Sequence, residues 1–487
     1  MSSSPLKTDV LIAGAGPAGL MLAIELRLAG IDVTIVERHP ERPGYCRGFN
    51  LNARSLDLLA RRGLADALIA EGHRVPNAAV GGIDTMLLLA GTATDHPFTL
   101  GIPQSRVEEY LEEHAVELGT EILRGHELRV FTQDGTGVTA TVHTGQGERE
   151  IRAKFLAGCD GSRSVVRKQA GIAFPGTAAT TYALLGDVEV DLDELPLGVT
   201  HGPDGGSVFV IPRPGYVRIV TRDGNPPEDK DTPVTLEILQ AQVDAAIGRH
   251  VELRAPRWMT RFGDAARLAS RYREGRVLLA GDAAHIHPPS GAIGVNVALD
   301  DAVNLGWKLA ATVRGTAPAH LLDTYHTERH AAGERILANT RAQMLLGELS
   351  EADDPVKNLL SRIARHPAGN RAFTEVIVGL DARYETVVSG DHPWLGRLAP
   401  DVPLTTSSGE TRLTALLHPA RPVLLDLTPD NAFAPYTSTV DTITAACPSQ
   451  PDLRAALLRP DGHTAWLSTT PGTDPTLPLA LATWAPA

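Results

Sequence analysis

Residues 8–40, TDVLIAGAGPAGLMLAIELRLAGIDVTIVERHP, hold four pieces in an order that decides the fold. An apolar β-like run, Val10 to Ala13, leads into a Gly14-Ala15-Gly16-Pro17-Ala18-Gly19 turn. A segment of helical period follows, then a second β-like run, Val33 to Val36, that ends on Glu37. Gly14 permits the tight turn, Gly16 lets backbone amides come up to a diphosphate, and Gly19 lets the helix pack on the strand. The helix N-terminus then faces the anion. Glu37 falls where a carboxylate accepts hydrogen bonds from ribose hydroxyls. The unit reads as the dinucleotide-binding βαβ of a Rossmann-like α/β fold. An acid at that position repels a 2′-phosphate, so the stretch suits FAD or NAD and disfavours NADP. These residues alone do not choose between the two.

The same apolar stretch could be mistaken for a membrane span or a signal peptide. Gly14, Gly16, Pro17, Gly19 and Glu25 interrupt it, and it lacks a basic leader and a small-residue cleavage site. It reads as a buried strand and helix, and no other run approaches a span, so a soluble chain with no membrane partner is expected. At 487 residues the chain has room for roughly two to four folding units. A formal net charge of −13 without a basic block argues against a nucleic-acid partner. Cys46, Cys159 and Cys447 are scattered and odd in number, which gives neither a disulfide framework nor a paired redox or zinc motif. A reducing cytoplasm fits them.

Two later segments narrow the ligand. IRAKFLAGCDGSRSVVRKQAG, residues 151–171, places a short strand, Phe155 to Ala157, before Asp160-Gly161 and a run of hydroxyls and arginines. That pattern turns the chain and either orients phosphates or caps a helix. GDAAHIHPPSGAIGVN, residues 281–296, follows a strand expected at Arg276 to Ala280 and precedes a helix beginning near Val295. Ala298, Ala302, Leu305, Leu309 and Val313 give that helix one apolar face. Asp300 and Asp301 are expected in its first turn, where acids suit the dipole. Asp282 at the strand end suits a ribityl hydroxyl or a bridge to phosphate, and Gly291 and Gly294 allow amides to approach a flat ring. The positive end of the helix would face the N1–C2=O edge of an isoalloxazine, where charge collects on reduction. His285 and His287 resemble a metal pair, but no third ligand is near, so no metal site is expected.

Together, GAGPAG, GCDGSRSVVRK and GDAAHIHPP with its glycines and GVN resemble the group A FAD-dependent aromatic monooxygenases, the p-hydroxybenzoate and phenol hydroxylase family. Within it they are most similar to bacterial hydroxylases of angucycline- and anthracycline-type polyketides. YCRGFNLNARSLDLLARRGL, IPQSRVEEYL and the tail from LAPDVPL through RPVLLDL to LLRPDGHTAWL extend the likeness over nearly the whole chain. The resemblance implies an FAD-binding domain from residues 1–175 and 268–390, interrupted by a sheet-rich substrate domain at 176–267, with a thioredoxin-like domain at 395–487. SVFVIPRPGYVRIVTRD, residues 207–223, reads as antiparallel strands in support of the insertion. Carried over by position, Gly14, Ala15, Gly16, Ala18, Glu37 and Arg38 would hold the AMP half of FAD. Arg47 would lie on a loop beside the flavin, Gln104 at the ribityl-phosphate region, and Asp160 in a motif serving FAD and the nicotinamide donor. Asp282, Pro289, Gly291, Ala292, Ile293, Gly294, Val295 and Asn296 would surround the ribityl chain and ring. Where relatives read Gly-Gly-Gln-Gly, this chain has Gly291-Ala292-Ile293-Gly294, with a Cβ where positive φ is called for and hydrocarbon in place of an amide.

The activity so implied is hydroxylation of a polycyclic aromatic polyketide, in antibiotic biosynthesis. NADPH is the transient reductant, O2 the oxygen source and a flavin C4a-hydroperoxide the agent. No second glycine-rich fingerprint exists for the nicotinamide nucleotide. Arg47 is the candidate catalytic side chain, acting by charge or loop gating, against the reading of a surface arginine at a helix entry. Baeyer–Villiger insertion or oxidative ring cleavage of a polyketide quinone is one alternative, and a flavin-binding accessory protein without oxygenase activity another. A homodimer is common in such families; the sequence does not fix the oligomeric state.

Overall fold

The computed structural model describes residues 6–78, 83, 85–202, 206–224, 226–229, 232–348, 354–470 and 474–485. Among those residues an eight-stranded sheet carries the glycine motif. Strand Leu6–Ala13 lies between Val33–Glu37 and Gly147–Gly158, both parallel to it, and Val277–Leu279 and Glu121–Arg124 extend the parallel run on either side. Val10, Leu11 and Ile12 are fully buried, so both faces of this strand are covered, which is why it reads as an apolar run without alternation. Helix Pro17–Leu28 is buried along nearly its whole length. It crosses helix Gly294–Arg314 so closely that a Cβ on Gly306 would come within 2.2 Å of the Cβ of Glu25.

Three sequence expectations need correction. The strand before residue 281 runs Val277–Leu279, shorter at both ends than expected. The strand before Asp160 is longer, Gly147–Gly158, because it pairs with Leu6–Ala13 and also with the antiparallel strand Val138–Thr144. The long helix starts at Gly294, which puts Asp300 and Asp301 beyond its first turn. Both are buried and bound to arginines, so ion pairing and not the helix dipole accounts for them.

The segment between the two halves of this sheet forms a five-stranded antiparallel sheet. In register order its strands are Gly198–His201, Ser207–Arg213, Tyr216–Arg222, Tyr182–Glu189 and Arg254–Gly263. Helix Leu236–Ile247 seals one face, packing Leu239 and Val243 on Leu184, Val188, Val210 and Ile219. Because side chains alternate, the neighbours of those residues point to the opposite face.

Residues beyond 400 build a six-stranded sheet. Its strand Val423–Asp426 pairs parallel with Asp441–Ala446 and antiparallel with Ala455–Leu458. It docks on the long helix through Trp307 and Ala311, which pack with Phe433, Trp466 and Trp484. No helix among the described residues is long and apolar enough to cross a membrane.

Candidate functional site

The three glycines of the N-terminal turn are glycine for different reasons. A Cβ on Gly14, whose φ is +106°, would meet the Cys159 carbonyl oxygen at 2.3 Å, and one on Gly19 would meet the Gly14 carbonyl oxygen at 2.0 Å. Those two are required by the packing of strand, turn and helix. Gly16 is not: its φ is −83°, and a Cβ there would meet nothing within 4 Å. It lines an open cleft. The helix that begins beside it has Pro17 in its first turn and no side chain capping its N-terminus, so the N–H groups there are left for an external acceptor.

Of the residues selected from sequence, Gly14, Ala15, Gly16, Glu37, Arg38, Arg47, Gln104 and Asp160 line this one cleft. Glu37 accepts from the Ala15 amide with one carboxylate oxygen and from the His39 amide with the other, each at 2.9 Å. It thereby fixes the glycine turn to the end of the second strand. A carboxylate has further lone pairs, so both oxygens can still accept from hydroxyls in the cleft. Gln104 opens a helix, Gln104–Glu117, and donates to Glu108 at 2.7 Å. Asp160 accepts from the Val165 and Val166 amides at 2.7 and 3.1 Å through Oδ2, while its Oδ1 is buried without a partner among the described residues and burial raises the carboxyl pKa. Ser164 caps the helix that follows, its Oγ accepting from the Arg167 amide at 2.9 Å.

The remaining candidates lie elsewhere. Ala18 is buried behind the wall, packed with Ala280 and Ala298. Asp282, Pro289, Gly291 and Ala292 are exposed on the loop ahead of the long helix, Gly294 and Val295 are partly exposed, and Ile293 is buried. Ala292 has φ +52°, a left-handed conformation that L side chains adopt only with strain. The Asn296 amide is committed within the protein: its oxygen accepts from the Asn52 N–H at 2.8 Å and its nitrogen donates to the Asn50 and Ala292 carbonyls, each at 3.3 Å. His285 bonds Asp301 at 2.7 Å and His287 the Pro288 carbonyl at 2.8 Å. No group of three metal-ligating side chains occurs among the described residues.

Arg47 sits between the two sets. Burial works against its charge, but Tyr45, Asp282 and Glu108 together raise its pKa. The loop that carries it is clamped by the middle sheet, which sequence reasoning missed. Arg218 donates to both oxygens of Asp187 at 2.7 Å, and with its other N–H groups reaches the carbonyls of Cys46 at 2.5 Å and Arg47 at 3.1 Å. Tyr45 stacks on Trp258, 4.5 Å between centroids and 6° from parallel, and Arg213 lies 3.5 Å over Phe49. Only the alternation of Asp187 and Arg218 in their strands hinted at a buried pair. A second missed group is Glu112, shared by Arg42 and Arg124 at 2.8 and 2.6 Å near the cleft.

Residues 7–340 match the model of the FAD binding domain, and residues 392–487 that of the aromatic-ring hydroxylase C-terminal domain. The chain belongs to the FAD-dependent aromatic-ring hydroxylases. The enzyme is 39% identical to the 12-dehydrotetracycline 5-monooxygenase/anhydrotetracycline 6-monooxygenase of Streptomyces rimosus, over 98% of this chain and 99% of that one. It is also 39% identical to a dialkyldecalin synthase of Streptomyces rugosporus, over 98% and 99% of the two chains. The solved anhydrotetracycline hydroxylase of S. rimosus superposes with a TM-score of 0.92 at 38% identity, covering 99% of this chain and 100% of that one. FAD is the cofactor of the enzyme. The cleft fits it in two respects: Gly16 leaves open a space that a Cβ would fill, and the orphaned Asp160 Oδ1 awaits a donor.

Proposed function

We propose that the enzyme transfers one oxygen atom from O2 to a planar polycyclic aromatic polyketide, with NADPH as transient reductant. The observation that carries this reading is the partly open face of the middle sheet, where Leu185 at the centre of the row is buried and the row's outer end is exposed. Val199, Phe209, Val220, Leu185 and Thr260 stand opposite one another across all five strands, on the face turned away from helix Leu236–Ile247. Val199 is 58% and Phe209 41% exposed, although both are apolar. At the usual strand spacing the row is roughly 19 Å long, a flat apolar floor of the size of a fused-ring system. It adjoins the clamped loop, since Trp258 beneath Tyr45 is two residues from Thr260 on the same strand.

Bound FAD supplies the redox chemistry and the activation of O2. The chain's own residues do the rest. Gly14, Ala15, Gly16, Glu37 and Arg38 hold the AMP half, and Ala18 supports the turn from behind. Gln104 and Asp160 face the diphosphate and ribityl region. Asp282 and Pro289 through Asn296 frame the ring, with the long helix directing its positive end there. Arg47 places its charge at the mouth between cofactor and substrate. We assign residues 1–175 with 268–390 to the FAD-binding domain, 176–267 to the substrate domain, and 395–487 to a thioredoxin-like domain, the last on the parallel pair flanked by an antiparallel strand. The experiment is incubation with NADPH, 18O2 and a panel of tetracyclic phenols and quinones, followed by NMR of the product. One labelled hydroxyl on an intact skeleton is expected, and a cleaved or expanded ring overturns hydroxylation.

A second reading, a flavin protein that performs no oxygenation, draws on the strained Ala292 beside Ile293 and on the relative named a synthase. Substrate-independent absence of NADPH oxidation and oxygen uptake would favour it.

A further inference from the structure

The long helix and the C-terminal sheet share a buried ionic network that ends at the flavin loop. Asp301 accepts from the Gly281 amide at 3.0 Å, from His285 at 2.7 Å and from Arg329 at 2.8 Å. Arg329 also donates to Asp300 at 2.7 Å, and Arg54 grips the same carboxylate at 2.9 and 3.1 Å. All four charged residues are at most 7% exposed. The same Nη2 of Arg54 that bonds Asp300 also reaches Nε2 of His463 at 3.3 Å, and Nδ1 of His463 lies 3.1 Å from Asp461 Oδ1. Arg459 and the Trp307 indole hold Asp461 in turn, at 2.5 and 3.2 Å.

Arg54 cannot accept a hydrogen bond, so His463 must present an unprotonated Nε2 to it and donate from Nδ1 to Asp461. Burial agrees, pushing the imidazole pKa down to about 4 and leaving the ring neutral. His463 is thus a one-tautomer link between Arg54 and the C-terminal sheet. Arg54 stands in the first turn of helix Ala53–Ala60, whose cap, Asn52, gives its N–H to Asn296 in the first turn of the long helix. The position of Arg54 is therefore transmitted to the flavin loop twice, through Asp300–Arg329–Asp301 to the Gly281 amide, and through Asn52 to Asn296.

We propose that His463, contributed by the C-terminal sheet, is a positioning residue of the flavin site. Its orienting bonds to Arg54 and Asp461 hold the Gly281–Asp282 turn and the start of the long helix where FAD meets them.

The test measures FAD dissociation constants and apoprotein melting for His463→Leu and His463→Gln. Glutamine keeps one acceptor for Arg54 and one donor for Asp461; leucine keeps neither. Loss of an orienting partner behind a metal ligand costs about 10- to 100-fold in affinity; His463 stands several links behind the flavin loop, so the low end applies: H463L is expected to bind FAD about tenfold more weakly and H463Q within about twofold of the parent. Parental FAD affinity in H463L overturns the proposal, as does equal loss in both variants. If H463L does not fold, 15N-histidine NMR of the unaltered enzyme decides. The ring nitrogens of His463, assigned by their absence in H463Q, are expected to shift on FAD loading; unchanged resonances overturn the proposal.

Discussion

Replacing Gly16 by alanine separates the two uses of glycine in the N-terminal turn. At φ −83° an alanine is unstrained, and its Cβ would meet nothing of the protein within 4 Å. Alanine caps a helix less well than glycine, by roughly 0.5–1 kcal/mol, while its stiffer unfolded chain returns about 0.4–1 kcal/mol. The apoprotein should therefore melt within a degree or two of the parent, roughly the shift expected for a net few tenths of a kcal/mol in a chain of this size. Affinity for FAD should not survive so well. A methyl pushed into a close contact costs about 1–3 kcal/mol, which is roughly 5- to 150-fold in dissociation constant at 1.4 kcal/mol per decade. Gly14→Ala is the internal contrast: with φ +106° and a Cβ 2.3 Å from the Cys159 carbonyl oxygen, it should fail as a fold. The assay is flavin fluorescence quenching on titration of apoprotein, beside calorimetric melting of both variants. An unchanged FAD dissociation constant in G16A would refute the reasoning, because the open space at residue 16 would then have no ligand to explain it.

Three further outcomes are expected. Ala292→Gly relieves a residue at φ +52° and should stabilise the enzyme by about 1 kcal/mol, read as a rise in melting temperature; a fall means that the Cβ makes contacts worth more than the strain. Arg218→Met leaves Asp187 buried and unpaired and frees the carbonyls of Cys46 and Arg47, a loss of about 3–5 kcal/mol with substrate-stimulated NADPH oxidation falling further than FAD binding; equal losses in both would detach the clamp from catalysis. The fold should also weaken in acid in two stages. His463 is held down to about 4 from an ordinary 6.5, so the unfolded chain takes up a proton between pH 6.5 and 4 that the folded one refuses, removing on the order of 3 kcal/mol as pH falls. Burial opposes ionisation of Glu328, but Arg459 and Lys308 bring its carboxyl down to about 2, so its contribution is lost below about pH 4.5. Melting curves against pH should show both steps, and H463Q should flatten the upper one; an unaltered slope removes His463 as its source.

The legible parts of this molecule were those whose chemistry is local. Gly14, Gly16, Gly19 and Glu37 lie within one strand-turn-helix-strand unit, and their spacing alone implied a diphosphate cradle. Asn296 stands in a motif that resembles the family's, but the motif does not say that its amide is occupied by Asn50 and Asn52 from a remote segment. Asp300 and Asp301 were misplaced for the same reason: a dipole argument sees only the helix, whereas Arg54 and Arg329 decide what those acids do. The clamp of Arg218 on the Arg47 loop and the link from His463 to Arg54 join residues 171 and 409 positions apart. No periodicity within a window of sequence encodes such pairs, because the selecting force is burial of charge in a shared interior. The alternation of the middle sheet was legible, but not which face would be left partly open, since that depends on where helix Leu236–Ile247 docks.

The nucleotide-binding sheet takes its strand Val277–Leu279 from chain that is synthesised after the whole middle sheet. During translation the glycine turn emerges early, yet the strand two places along the sheet and the long helix that crosses helix Pro17–Leu28 leave the ribosome some 240 to 300 residues later. At ordinary elongation rates that is an interval of roughly 10–60 s. Nascent chains stopped within the middle segment therefore carry the residues that line the cleft but lack the strand Val277–Leu279 and the long helix, so complete flavin loading is expected only late in synthesis.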